Sequence, residues 1–368
     1  MTAKHISPER LDLVRKRLGY TKVGFAEALN VDRKVISRFE SGQYDLPDSA
    51  VHELVKLSGF PVEFFCKPEP EFPEVEEVSF RSLRALTAKR RDAALASGAI
   101  AFELDDWVSR QYDLPKAFLP TLDPNDPIAS AMELRVHWGI GNRPIGNLMN
   151  LLEAKGIRVF SLVENTTKLD AYSLWRDDVP YVFLNTLKTA ERTRFDAAHE
   201  LGHLVMHRNG AKHSTAEMEA DQFASAFLMP PDDVRSRIRF VNSIDQVIEA
   251  KKRWGVSAAA LLYTLHKREA RLTEWRYRGF CIELAQISRK LTEQGLSMEP
   301  DPLDRETSQI WSKILQDLWR RRISISRVCD EIKIPEAEFH CLLSGLIKST
   351  PAAGIVSSNS SDRTLRVI

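Results

Sequence analysis

The five residues His199-Glu200-Leu201-Gly202-His203 restrict this chain more than any other feature of its sequence. Histidines four apart stand one turn apart on a single helix face, so both imidazoles can reach one metal ion. Glu200 lies beside them, placed to take a proton from a metal-bound water whose pKa the metal has already lowered toward neutral. The apolar flanks Phe195, Ala198, Leu201 and Leu204 call for a buried helix, read over about 190–207. A catalytic zinc takes three protein ligands and keeps a fourth position open, so a further donor is required. A second helical segment, 217–228, offers Glu217, Glu219 and Asp221, with Phe223, Ala224, Phe227 and Leu228 to pack on the first helix. Glu217 and Asp221 are four apart, so one can ligate while the other orients a ligand histidine. Glu219 faces elsewhere and is the weaker donor. His207, one turn beyond His203, is expected to back the ligands or face solvent rather than ligate, and His213 is expected in a solvated loop.

The remaining chain must be compatible with such a site. Its 368 residues exceed what one core usually serves, so two or three domains are expected. With 43% hydrophobic and 28% charged residues it has the profile of a globular protein. A formal net charge of +1 excludes a global pull on nucleic acid or membrane, so any such contact must be a local patch. Cys66, Cys281, Cys329 and Cys341 show no paired spacing and read as free thiols of a cytoplasmic protein. Neither a signal segment nor a membrane-length apolar run is present.

Along the chain, residues 7–60 pattern as four short helices ending at Gly19, Gly42 and Gly59 or in the turns between. An acidic, proline-rich linker follows from Cys66 to Glu77, then a charged connecting helix over 81–111, then a proline-rich loop to Pro127. Helices at 128–138 and 145–155 precede strands at 157–160, 172–175 and 181–185, with Arg176-Asp177-Asp178 and Pro180 as turn chemistry. After Pro230-Pro231 the pattern is helical to about Leu291. A helical block over 305–347 precedes a Ser- and Asn-rich tail, 351–368, expected to be disordered. No repeat recurs at a fixed period. The fold class read from this is α+β: an all-α domain over 1–65, linker and connecting helix over 66–127, a metallopeptidase-type domain over 128–295 and a helical C-terminal domain over 296–350.

Two segments carry a resemblance. Residues 194–203, Arg-Phe-Asp-Ala-Ala-His-Glu-Leu-Gly-His, followed by Glu217-Met218-Glu219-Ala220-Asp221-Gln222-Phe223-Ala224 and then Leu228-Met229-Pro230, resemble the ImmA/IrrE family of metallo-endopeptidases. The chain departs only in having Phe227 where leucine is usual. The resemblance implies a zincin-like fold, His199, His203 and Glu217 as ligands, Glu200 as base and Asp221 behind a ligand. It also likens the strand ending at Asn185 to the family's edge strand, able to pair with an extended substrate. Zn²⁺ is the implied metal, although two histidines and a carboxylate also accept Mn²⁺. Family members cleave helix-turn-helix repressors at limited sites, so a repressor, or a toxin encoded nearby, is the implied protein partner.

Residues Tyr20 to Val31 and Val35 to Gly42 are similar to the XRE (Cro/cI-type) helix-turn-helix family, with Phe25, Ala26, Leu29, Val31, Ile36 and Phe39 as core. In such a motif the second helix enters the major groove. Here it offers Arg33, Lys34, Ser37 and Arg38, and Lys22 stands where glutamine is common, suited to phosphate contact. One module binds weakly, so a homodimer or a second module is expected for specific binding. The basic stretch Phe80 to Arg91 suits either phosphate contact or a solvated helix. Residues 322–339 have the rhythm of a degenerate second helix-turn-helix, with Pro335 in a first-turn position. Its last helix is acidic (Glu336, Glu338) and suits packing better than DNA.

The resulting expectation is a DNA-binding zinc endopeptidase that regulates gene expression by limited cleavage in a stress, mobile-element or phage-defence setting. The competing reading is an XRE-type regulator or antitoxin whose peptidase-like domain binds a partner without cutting it.

Overall fold

The computed structural model describes residues 5–73, 87–162, 170–208 and 215–348. The protein is α+β, with helices first, a small three-stranded sheet in the central part, and helices after it. By compactness the chain divides into two units. One comprises Met1–Leu114, Phe160–Leu169 and Ile310–Ile368; the other comprises Pro115–Val159 and Asp170–Gln309.

The first unit opens with α1 (Pro8–Arg17), α2 (Lys22–Ala28), α3 (Arg33–Glu40), α4 (Asp48–Ser58) and α5 (Val62–Phe65). Ser7, Thr21 and Asp32 cap the first three helices by accepting backbone N–H groups of Arg10, Gly24 and Lys34. Phe25, Ala26, Leu29, Ile36 and Phe39 are buried, whereas Val31, expected beside them, is half-buried. Residues 66–73 of the expected linker hold no regular element. The connecting helix is different from expectation. In α6 (Ala88–Gln111) exposed residues are confined to the two ends (Ala88, Lys89, Ser109 and Arg110), and from Ala93 to Phe102 every residue is buried. A run of alanine, serine and glycine lets neighbours approach from every side, which makes α6 a core helix of its unit rather than a solvated connector.

The second unit carries α7 (Pro127–His137), α8 (Leu148–Ala154), β1 (Arg158–Ser161, whose last two residues are grouped with the first unit), β2 (Ala171–Arg176) and β3 (Val179–Leu184). β2 and β3 are antiparallel, Ala171 opposite Leu184 and Arg176 opposite Val179, and the sheet order is β1-β3-β2. Two expectations need correction. Pro180 belongs to β3 opposite Trp175, so the turn shrinks to Asp177-Asp178, with Asp177 at φ +53°. The strand ending before Asn185 is central, not an edge, because β1 lies on its other side. Among the described residues β2 is the edge next to it.

Behind the sheet runs α9 (Ala190–Met206), capped by Thr189 and buried along most of its length. It packs on β2, β3 and α10 (Ala216–Leu228). The β2–β3 hairpin is tied to the end of α9: Trp175 Nε1 donates to the Leu204 carbonyl at 3.1 Å, and the Arg208 guanidinium lies 3.8 Å over the Trp175 ring. Then follow α11 (Pro231–Arg237), α12 (Ile244–Lys251), α13 (Ala258–Tyr263), a π-helical turn (Thr264–Arg268) and α14 (Glu274–Glu293). Arg194 of α9 reaches the Glu306 carboxylate and the Ile145 carbonyl, which fixes the helix within its unit.

The last helices, α15 (Gln309–Arg320), α16 (Ile325–Ile332) and α17 (Glu336–Leu343), return to the first unit apart from Gln309. The expected connecting helix and C-terminal helices therefore share that unit with α1–α5. Pro335 is one residue ahead of α17, at its N-cap. All four cysteines are free thiols. No described helix is long and apolar enough to cross a membrane. Linker residues 74–77, most of the basic stretch 80–91, the His213 loop and the tail 351–368 lie outside the described residues.

Candidate metal centre

The crossing of α9 and α10 builds the site. Gly202 faces α10 so closely that a Cβ there would stand 3.0 Å from the Phe223 ring and 3.4 Å from the Ala220 Cα. The missing side chain lets the two helices approach until donors from both converge. His199 Nε2 and His203 Nε2 are 3.0 Å apart, and the Glu217 carboxylate oxygens lie 3.4 Å from the first and 3.5 Å from the second. Ligands at about 2.1 Å from a tetrahedral centre stand about 3.4 Å from one another. The three donors thus have the spacing of one face of a coordination tetrahedron. Among the described residues these three form the group able to hold a metal ion, all ligand atoms lying within 4.8 Å.

The ligands are held from behind by two separate sets of contacts. His199 Nδ1 lies 2.9 Å from Asp221 Oδ1. His203 Nδ1 lies 3.0 Å from His207 Nδ1, and His207 Nε2 lies 2.9 Å from Glu219 Oε2. A carboxylate only accepts, so His207 donates from Nε2 and, in its neutral form, keeps a lone pair on Nδ1. His203 must then donate from Nδ1, which leaves the lone pair of its Nε2 facing His199 and Glu217, as a ligand requires. Burial, followed by the neighbouring His199 and His207 rings, pushes the His203 pKa well below its ordinary value and keeps it neutral. Burial also acts to lower the pKa of His199, but hydrogen bonds from Asp221 and Glu217 and the nearby charge of Glu200 overcome it and raise the pKa to about 10.

Glu200 points away from solvent and is only 3% exposed. Ser173 of β2 donates from Oγ to Glu200 Oε2 at 2.6 Å. Sequence reading assigned Glu200, His199, His203 and Glu217, and the structure brings them together; it places Asp221 and His207 behind the ligands. It missed Ser173, for which a strand serine carries no spacing signal, and it weighed Glu219 only as a weaker metal donor, whereas the structure places it against His207.

The candidate DNA-contacting residues are elsewhere, on α2 and α3. Arg33, Lys34 and Ser37 are exposed. Arg38 is exposed and lies 5.6 Å over the Tyr44 ring. Lys22 Nζ pairs with Glu40 Oε2 at 2.5 Å.

A buried HExxH helix crossed by a carboxylate-bearing helix, on a small three-stranded sheet, defines a metallopeptidase-type domain. Residues 152–266 match the family model described as the IrrE N-terminal-like domain, Peptidase_M78. This supports the ImmA/IrrE assignment for that part of the chain and implies a divalent metal at the site. Comparison with the curated proteins gave no match.

Proposed function

We propose that the protein is a zinc-dependent endopeptidase with its own DNA-binding module, acting on gene expression by limited cleavage of a regulatory protein. The observation that carries the peptidase reading is the converging donor set of His199, His203 and Glu217 with Glu200 beside it. His199, His203 and Glu217 would hold Zn²⁺, with Mn²⁺ the alternative their donor chemistry allows. Bound there, the ion would supply an activated water and polarise a peptide carbonyl. Glu200 would take the proton of that water, and Ser173 would hold the Glu200 carboxylate in place by donating to it.

The exposed cations of α3, Arg33, Lys34 and Arg38, support the DNA-binding part of the reading, with Ser37 and Lys22 in reach of the same backbone. The substrate class proposed is a helix-turn-helix repressor or a partner such as a toxin. Metal-loaded wild type and Glu200→Ala should be incubated with the products of neighbouring genes and the mixture read by mass spectrometry. New termini with wild type alone support the reading. Intact products under both conditions, with Arg38→Ala still abolishing regulation, leave a DNA-binding regulator without protease function.

A further inference from the structure

The degenerate helix-turn-helix rhythm read at 322–339 is borne by helices that reproduce the N-terminal ones at one fixed displacement. Left-handed backbone recurs at Gly19 and Arg322 (φ +69° and +56°), at Asn30 and Lys333 (+57° and +68°), and at Gly42 and Gly345 (+69° and +68°). The displacement is 303 residues each time (322 − 19, 333 − 30, 345 − 42). The caps obey it too: Thr21 accepts from Gly24 N, and Ser324 accepts from Arg327 N. So do the turn hydrogen bonds. Tyr20 N donates to the Arg15 carbonyl at 3.0 Å and Ile323 N to the Leu318 carbonyl at 2.9 Å; Val31 N donates to Ala26 at 3.0 Å and Ile334 N to Cys329 at 3.1 Å. The buried positions follow. Phe25, Ala26 and Leu29 correspond to Val328, Cys329 and Ile332, and Ile36 and Phe39 to Phe339 and Leu342. Outside glycine, residues at positive φ are uncommon, so the pair Asn30 and Lys333, non-glycine in both copies, together with Arg322 opposite Gly19, is not chance similarity of short helices.

What differs is the exposed face. Where α3 offers Arg33, Lys34, Ser37 and Arg38, α17 has Glu336, Ala337, His340 and Cys341. The second copy has instead a partner within its own unit. Glu338 of α17 accepts from Arg17 Nε of α1 at 2.9 Å, the two side chains being only 13% and 11% exposed. Pro335 packs against Gly59, the left-handed cap of α4, and Lys67 donates to the Ile332 carbonyl at 3.0 Å. We propose that residues 311–345 are a second copy of the module formed by residues 8–42, one that has lost its phosphate-facing cations and is tied to the first copy by the Glu338–Arg17 pair. The two copies form a pair within one chain, in which the first presents the cationic face and the second supports it.

The pairing goes beyond the DNA reading and is tested without it. Arg17→Glu, Glu338→Arg and the double exchange, each in the full chain, are compared by amide hydrogen exchange read by mass spectrometry. Breaking a largely buried pair should raise exchange about tenfold or more in both 8–17 and 336–343 for each single variant. The double exchange should return both segments to within about twofold of wild type. If a single reversal fails to fold, Glu338→Gln gives the same readout. Faster exchange confined to the substituted helix, or no recovery in the double exchange, overturns the proposal. A second arm uses a mixed-sequence DNA duplex. Arg38→Ala should weaken binding and Glu336→Ala and His340→Ala should not; equal loss from the second copy overturns the proposal. A wild-type chain that ignores the duplex overturns only the DNA reading, and the exchange arm still decides the pairing.

Discussion

His207 Nε2 and Glu219 Oε2 stand 2.9 Å apart, and that contact sets the chemistry of a third residue. In neutral His207 it puts the proton on Nε2, and the 3.0 Å contact between the Nδ1 atoms then puts the His203 proton on Nδ1. Glu219 and His207 are therefore positioning residues, two contacts removed from the metal position and one contact removed from it. Their removal should cost metal affinity while leaving the donor set complete. Glu219→Ala and His207→Phe are each expected to weaken Zn²⁺ binding about 10- to 100-fold, measured by competition with a chromophoric chelator. Asp221→Ala should do the same through His199. Affinities within twofold of wild type for all three variants would refute the orienting role.

Ser173 gives the complementary case. Its hydroxyl donates to the carboxylate of Glu200, the base, rather than to a residue of the donor set. Ser173→Ala should leave Zn²⁺ affinity unchanged and lower the rate of peptide hydrolysis about tenfold, the worth of a hydrogen bond to a charged group. A loss of metal equal to the loss of rate would show that Ser173 shapes the site rather than the base.

These two cases mark how far the site was legible in the sequence. His199, Glu200 and His203 follow from helix periodicity, because an i, i+4 spacing fixes which side chains share a face. Glu217 follows once a second helix is known to cross the first. Ser173 does not follow, because it reaches Glu200 only through the packing of β2 on α9. The fold shows the same division. Caps and glycines marked most helices, and aromatic- and β-branched-rich runs parted by turn residues marked the hairpin strands. Sheet order is a long-range property, so the central place of β3 was invisible and its likeness to an edge strand misled. The burial of α6 was obscured by the charges of its first turn, and the duplicated helices share backbone geometry with little shared side-chain identity.

Gly156 is the backbone position least tolerant of change. It sits at φ +84°, and a Cβ there would lie 2.3 Å from the carbonyl carbon and oxygen of Lys116. The loop bearing Lys116 is held against the α8–β1 turn by the Phe118 N–H donating to the Lys155 carbonyl at 2.9 Å. Neither side can yield without breaking that contact. Gly156→Ala should destabilise the chain by about 2–4 kcal/mol, read as a lower midpoint of chemical denaturation with an unchanged slope. A midpoint equal to wild type would mean that the loop moves aside freely.

Asp233 supplies the pH dependence that can be worked out with a sign. Its carboxylate accepts from Arg253 Nε at 2.8 Å, Arg253 Nη2 at 2.9 Å and Trp254 Nε1 at 2.9 Å. The Arg253 hydrogen bonds, against the opposing effect of burial, hold its pKa below the ordinary 3.8. A carboxyl depressed on folding binds its proton more tightly in the unfolded chain. Its stabilisation is therefore complete above the unfolded value and lost as pH falls through the folded one. Asp233→Asn keeps the shape and removes the charge, and should cost about 1–3 kcal/mol near neutrality. The gap in melting temperature between wild type and variant should hold from pH 7 down to about pH 5, then close as the solution becomes more acid than the ordinary carboxyl pKa. A gap that stayed constant into that acid range would show that the carboxylate charge contributes nothing and that only the geometry of the contact matters.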